Sequence, residues 1–244
     1  MARENLKPNE VHVWLLWHRD APADTDRFIS QLSVDEKERA ARYLNDRAKY
    51  EYCLTRSSLR RLLARYHVAN PSDFEFVYGE HGKPALVPNR VTDGPPLQFN
   101  VAHTRHLSAF AFSLDSEVGV DVEFQRNVND SGRIVESKFA AEERVVYAAA
   151  PTSTQKEFFF RGWTRKEAFI KATGEGLCRS LESFAVSIDG DANLAKFLRI
   201  DDDAVSHWSL GNLSLGDEHS GAIAVRNGSA KIVTREWHLD RIDG

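Results

Sequence analysis

Residues 11–17 read Val-His-Val-Trp-Leu-Leu-Trp, and neither face of such a strand is polar. Val11, Val13, Leu15 and Trp17 fall on one side, His12, Trp14 and Leu16 on the other. A strand of this kind needs apolar cover on both faces, which a layered fold with a sheet in its interior supplies. Its covering elements are readable downstream. Ser33 and Glu36 make an S-x-x-E capping box that predicts a helix start, with hydroxyl and carboxylate each satisfying a backbone N–H. Leu59, Leu62, Leu63 and Tyr66 recur at helical spacing until Asn70-Pro71 stops them. Strands are expected over residues 74–78 and 97–114, with turns at Gly82-Lys83-Pro84 and Asp93-Gly94-Pro95-Pro96.

The same order then begins again. A strand is expected over residues 118–124, helices over 141–149 and 155–173, and a strand over 184–188. Residues 222–225 and 231–234 flank Asn227-Gly228, a pair suited to a type I′ hairpin turn. The pattern predicts an α+β fold of two similar α/β halves, residues 1–116 and 117–244, forming a pseudo-twofold pair with a cleft between them.

Composition narrows the function. The chain has 244 residues, 42% hydrophobic and 28% charged, which suits a folded protein better than a disordered or membrane one. With 32 basic against 36 acidic side chains, a formal −4, it cannot act as a basic glove for nucleic acid, so any anion site must be local. Cys53 and Cys178 lack the spacing of a zinc cage or a disulfide framework, and no apolar run approaches the roughly 20 residues of a membrane span. The N-terminus leads into no secretory segment, so a cytoplasmic protein is expected.

Three constellations carry chemistry. In Gly119-Val120-Asp121-Val122-Glu123 the valines point one way, while Asp121 and Glu123 share the other face with Cα atoms about 6.6 Å apart. Two carboxylates on one rigid support begin a Mg²⁺ site, or simply mark a half-exposed strand. In the helix that follows, Phe159, Trp163 and Ile170 form an apolar stripe into which Lys166 falls. A lysine there either snorkels along the apolar surface or meets a phosphate. Glu167 and Lys171, at i and i+4, are either a solvated pair or a third metal carboxylate and a phosphate clamp. Gly174 should stop this helix. The third constellation is Phe99-Asn100-Val101-Ala102-His103-Thr104, where His103 is either a satisfied strand histidine or a phosphate donor. His106 would point oppositely if the strand continued, which disfavours a two-histidine metal site.

Taken in order, F-N-x-x-H-T, G-V-D-V-E and W-T-x-K-E-A-x-x-K-x-x-G-x-G-L resemble the signature of the 4′-phosphopantetheinyl transferases, and the doubled element order resembles the larger Sfp-type members. The resemblance implies two similar halves binding coenzyme A and Mg²⁺ between them. It implies transfer of the phosphopantetheine arm to a serine of an apo acyl or peptidyl carrier protein, with release of adenosine 3′,5′-bisphosphate. It further implies that Asp121, Glu123 and Glu167 hold the metal, that His103 and Lys171 contact phosphates, and that Glu167 or a metal-bound water takes the serine proton. Lys83 would reach the cofactor, and Arg39 and Arg56 of the first half would meet the 3′-phosphate. The chain departs from the family at Ala102, commonly serine, and at Glu36, where some relatives carry lysine. Carrier proteins of this kind are acidic around the accepting serine. A mobile, partly basic stretch at residues 126–139, with Arg133, Ile134 and Lys138, is the expected docking surface. A monomer is expected. Two other readings use the same residues: a coenzyme A or nucleotide-binding module without turnover, and a Mg²⁺-dependent phosphodiesterase.

Overall fold

The computed structural model describes residues 3–67, 69–87, 96–190 and 194–239. The first half runs β1 (Glu10–Trp17), α1 (Thr25–Ile29), α2 (Val34–Ala41), α3 (Asp46–Tyr66), β2 (Phe76–Tyr78), β3 (Pro84–Leu86), β4 (Leu97–Thr104) and β5 (Leu107–Leu114). The second runs β6 (Val118–Phe124), α4 (Ser131–Lys138), α5 (Ala141–Ala149), α6 (Thr152–Thr173), β7 (Phe184–Val186), β8 (Phe197–Ile200), β9 (Ser209–Asn212) and β10 (His219–Val225), followed by β11 (Lys231–Glu236). The fold is mixed α+β. A hairpin follows each of the long helices, β2-β3 after α3 and β7-β8 after α6, and the two larger sheets have strand orders β11-β1-β5-β4 and β6-β10-β9. No helix among the described residues is long and apolar enough to cross a membrane.

The layers follow from the alternation of side chains. Trp14 and Leu16 of β1 join Phe99, Phe110 and Phe112 against Leu59, Leu62 and Leu63 of α3. Val11, Val13 and Leu15 face the other way, onto Val118, Val120 and Val122 of β6 and Ile223 and Val225 of β10. Ala168, Phe169 and Ala172 of α6 then cover Ala222 and Ala224 on the far side of the second sheet. The order is helix, sheet, sheet, helix, so β1 is covered on both faces, and each large apolar side chain buried there contributes about 2 kcal/mol.

Where the two sheets meet, β4 and β6 are joined by side chains. Val120 N–H donates to Asn100 Oδ1 and Phe124 N–H to Thr104 Oγ1, each at 3.0 Å. Both contacts span 20 residues, so the strands advance in the same direction.

A buried glutamate pins each half. Glu36 accepts from Ser33 N–H as a capping box requires, although the Ser33 hydroxyl turns to Asp35 instead. Glu36 is also held by Arg56 and Arg60, each Nε at 2.7 Å, and Arg60 Nη1 donates to the carbonyls of Pro71 and Phe74 around a short 3₁₀ turn. Glu143 accepts from Ala140 N–H and pairs with Lys166 at 2.9 Å. Lys166 Nζ donates to the carbonyls of Leu181 and Phe184, again around a 3₁₀ turn.

Several expectations are corrected. The run over 97–114 is two strands, because His106 takes a left-handed conformation (φ 68°) and closes a two-residue turn between Thr104 and Leu107. Histidine is among the few non-glycine residues enriched there. Asn227-Gly228 does not form a hairpin. Both edges of β10 are already taken, by β6 and by β9, so β11 finds no free edge and runs parallel to β1 instead. Gly228 serves a close approach, since a Cβ there would lie 1.9 Å from the Ser206 carbonyl oxygen. Helix α3 ends at Tyr66, before Asn70-Pro71, and the stretch expected to be mobile contains α4. The turn at Asp93-Gly94-Pro95 lies outside the described residues.

Candidate active site

The site begins with a missing side chain. A Cβ on Gly119 would lie 2.1 Å from the Ala168 carbonyl oxygen and 2.3 Å from the Ala172 nitrogen, so only glycine lets α6 lie this close to β6. Because strand residues alternate, Asp121 and Glu123 share the Gly119 face and are turned toward α6, while Val118, Val120 and Val122 enter the core between the sheets. The helix answers with Glu167 and Lys171. Lys171 Nζ donates to Asp121 Oδ1 at 2.7 Å.

Asp121 is only 5% exposed, and its second oxygen, Oδ2, is buried without a hydrogen-bond partner. An ionised carboxylate oxygen left so is costly, and its presence points to a ligand. Burial and then the Asp121 charge push the carboxyls of Glu123 and Glu167 up from their ordinary values, with Lys171 opposing. The three carboxylates therefore share one electrostatic environment. They do not form a closed cage: among the described residues no group of three or more His, Cys, Asp or Glu side chains is gathered tightly enough to hold an ion by itself. An open oxygen set with one orphaned buried oxygen fits Mg²⁺, which keeps several positions for water and phosphate.

Of these groups Glu167 and Lys171 line a cleft of about 290 Å³, whose walls also include His81, Lys83 and Asn100; Asp121 and Glu123 lie beside it on β6. His103, at the exposed end of β4, is held below the ordinary histidine value by the protein around it and then by the Lys171 ammonium. Lys83 crosses from the first half, and its Nζ donates to the carbonyls of Val118 (3.1 Å) and Ala172 (2.7 Å). The turn that carries it rests on the end of α6: Gly174 caps the helix at φ 75°, and a Cβ on Gly176 would lie 2.9 Å from the His81 Cβ.

Other expected residues lie elsewhere. Lys166 is not a phosphate ligand in this cleft: it is 0% exposed and spent on Glu143 and two backbone carbonyls. Its place on the apolar stripe reflects a buried ion pair, a third outcome beside snorkelling and anion binding. Arg56 is drawn onto Glu36, with its guanidinium 4.7 Å from the Phe76 ring centroid, and exposed Arg39 stands 5.5 Å from that of Tyr52. Neither lines the cleft. Ala102 faces the core between the sheets, where a serine hydroxyl would be buried, so its departure from the family leaves the cleft untouched. The sequence reading missed Gly119, Asn100 and Thr104. A glycine in a strand interior was the available signal for the first. The strand-to-strand contacts of the other two carry no local signature.

Comparison with known proteins gives a consistent result. The family model of the 4′-phosphopantetheinyl transferase superfamily matches residues 117–225. The 4′-phosphopantetheinyl transferase HetI of Nostoc sp. (strain PCC 7120 / SAG 25.82 / UTEX 2576) is 29% identical over 220 residues, 90% of this chain and 89% of its own. The protein slr0495 of Synechocystis sp. (strain ATCC 27184 / PCC 6803 / Kazusa), provisionally named a 4′-phosphopantetheinyl transferase, is 33% identical over 212 residues, 84% of this chain and 80% of its own. The 4′-phosphopantetheinyl transferase Sfp of Bacillus subtilis (strain 168) is 28% identical over 173 residues, 70% of this chain and 73% of its own.

Proposed function

This chain belongs to the 4′-phosphopantetheinyl transferase superfamily, and from that premise we propose a division of labour within its cleft. The enzyme transfers the 4′-phosphopantetheine arm of coenzyme A to a serine of an apo carrier protein. We read residues 1–116 and 117–244 as the pseudo-twofold pair, a reading supported by the shared orders β1-β5-β4 and β6-β10-β9, with β11 lent back to the first sheet. The first half would face the nucleotide, whose 3′-phosphate would extend beyond the cleft described above toward Arg39 and Arg56. The second half would hold the reacting groups.

Asp121, Glu123 and Glu167 would ligate Mg²⁺, which when bound offsets the negative charge of the pyrophosphate. Lys171, which donates to Asp121 Oδ1 in this structure, would donate to a phosphate oxygen of bound coenzyme A. His103, whose ring is held below the ordinary histidine value, would donate a ring N–H to a second one. Catalysis then rests on charge stabilisation and positioning, as in phosphoryl transfer generally. Glu167, or a water that it orients, would take the serine proton. Adenosine 3′,5′-bisphosphate leaves. The observation that carries this reading is Asp121 Oδ2, buried and unpartnered on the strand face that also bears Glu123, opposite Lys171.

The carrier would dock on α4, where the Arg133 side chain is 88% exposed and Lys138 is also exposed. Charge reversal at both positions should lower kcat/KM for the carrier about tenfold and leave coenzyme A affinity unchanged. A cytoplasmic, monomeric enzyme is our reading; the two free cysteines, Cys53 and Cys178, fit a reducing compartment. Mass spectrometry after incubation with coenzyme A and Mg²⁺, with and without an apo carrier, tests the whole. A phosphopantetheine mass on the carrier is expected. Bisphosphate released without it would make the protein a phosphodiesterase, and neither product would make it a binding module.

A further inference from the structure

We propose that Lys83 is a positioning residue: from the first half it fixes the spacing between β6 and α6 and is not itself a ligand for substrate phosphate. The kinetic part of this inference rests on the transferase reading; the structural part does not.

The two carbonyls that Lys83 engages belong to elements with no backbone ladder between them. Val118 opens β6, the strand that carries Asp121 and Glu123. Ala172 follows Lys171 in the last turn of α6, where carbonyls lack intrahelical partners and a cation is favoured by the helix dipole. Gly119 permits the close approach of strand and helix, and Lys83 ties the two ends of that approach together. The tie is itself held in place: the turn has Gly82 at φ 80°, Gly79 N–H donates to the Lys83 carbonyl at 2.9 Å, His81 packs on Gly176, and a Cβ on Gly174 would lie 3.5 Å from Lys83 Cδ. A shift of β6 against α6 would move two carboxylates relative to Glu167 and Lys171 together. Small misplacements of this kind cost rate without changing what the site can bind.

The charge on Lys83 is not what the geometry uses. Burial pushes its ammonium down to about 8, against the pull of Glu117. A neutral amine still has two N–H donors for two carbonyls, whereas a phosphate ligand depends on the positive charge.

The test compares Lys83→Met and Lys83→Arg with wild type in steady-state transfer from coenzyme A to an apo carrier, alongside hydrogen exchange of the ligand-free protein. Lys83→Met should lower kcat about tenfold with KM for coenzyme A within about twofold, and Lys83→Arg, which keeps the donors, should recover most of kcat. Exchange should quicken in Lys83→Met over residues 118–122 and 168–173 and not in α3. A tenfold rise in KM at unchanged kcat, or an unchanged exchange pattern, overturns the proposal. If Lys83→Met does not fold, Lys83→Gln, which keeps N–H donors without the positive charge, carries the test: KM for coenzyme A within about twofold of wild type supports positioning, and a tenfold rise in KM overturns it. A wild-type protein inactive in transfer would defeat the transferase reading, while the exchange measurement would still decide the role of Lys83.

Discussion

The regions before and after the start of β6 solve one packing problem with different charges. Each fastens the start of its second helix to its long helix and to a 3₁₀ turn through a buried glutamate. In the first half Glu36 faces two guanidinium groups. Burial alone would raise its carboxyl, but Arg56 and Arg60 outweigh burial and hold it below the ordinary value. In the second half Glu143 faces one ammonium, and burial pushes Glu143 up and Lys166 down. The first pin is thus overdetermined, with two arginines on one carboxylate. The second holds Lys166 inside and leaves Glu167 and Lys171 to face the cleft. The two pins differ in charge: one carboxylate faces two guanidinium groups, the other a single ammonium.

The largest effect that can test this contrast is Lys166→Met, expected to cost about 3–5 kcal/mol because Glu143 is left as a buried charge without its counter-ion. Chemical denaturation measures it, and a loss below about 1 kcal/mol would remove the distinction between the pins. Next is Asp121→Asn, which should lower carrier modification by about 10²-fold or more while leaving the fold intact, as quantitative mass spectrometry would report. Arg60→Met should cost less than Lys166→Met, about 1–3 kcal/mol, since Arg56 still compensates Glu36; equal losses would show that Arg56 carries no share. The smallest effect is in acid. A carboxyl with a depressed folded value adds stability above its unfolded value, 4.5 for glutamate, and loses it as pH falls through the folded value. Glu36→Gln should therefore be less stable than wild type at pH 7, and the gap should close as pH drops well below 4.5.

What could be read in the letters was local. The alternation in β6 placed Asp121 and Glu123 on one face, the helix over Ala141–Ala149 was bounded as observed, and Gly174 ended α6. What could not be read depended on partners distant in sequence. Asn227-Gly228 is a turn signal only if the preceding strand has a free edge, and β10 has none. Arg105-His106 turns the chain without glycine or proline, because a histidine accepts the left-handed conformation. Lys166 broke the helical stripe for a reason that lies 23 residues upstream, in Glu143. The carboxylates were identified by type and order, while their closeness to Lys171 depended on Gly119, whose importance shows only once α6 is packed on it.

The return of β11 to β1 has a consequence for how the protein is made. While the ribosome is still synthesising the second half, the outer edge of β1 has no partner, and its backbone donors and acceptors are open to any passing strand. That edge closes only after Lys231–Glu236 leave the exit tunnel, so the portion made first is among the last to be completed. A chain that stalls just short of that point would expose a ready template for aggregation, however well its second half had folded.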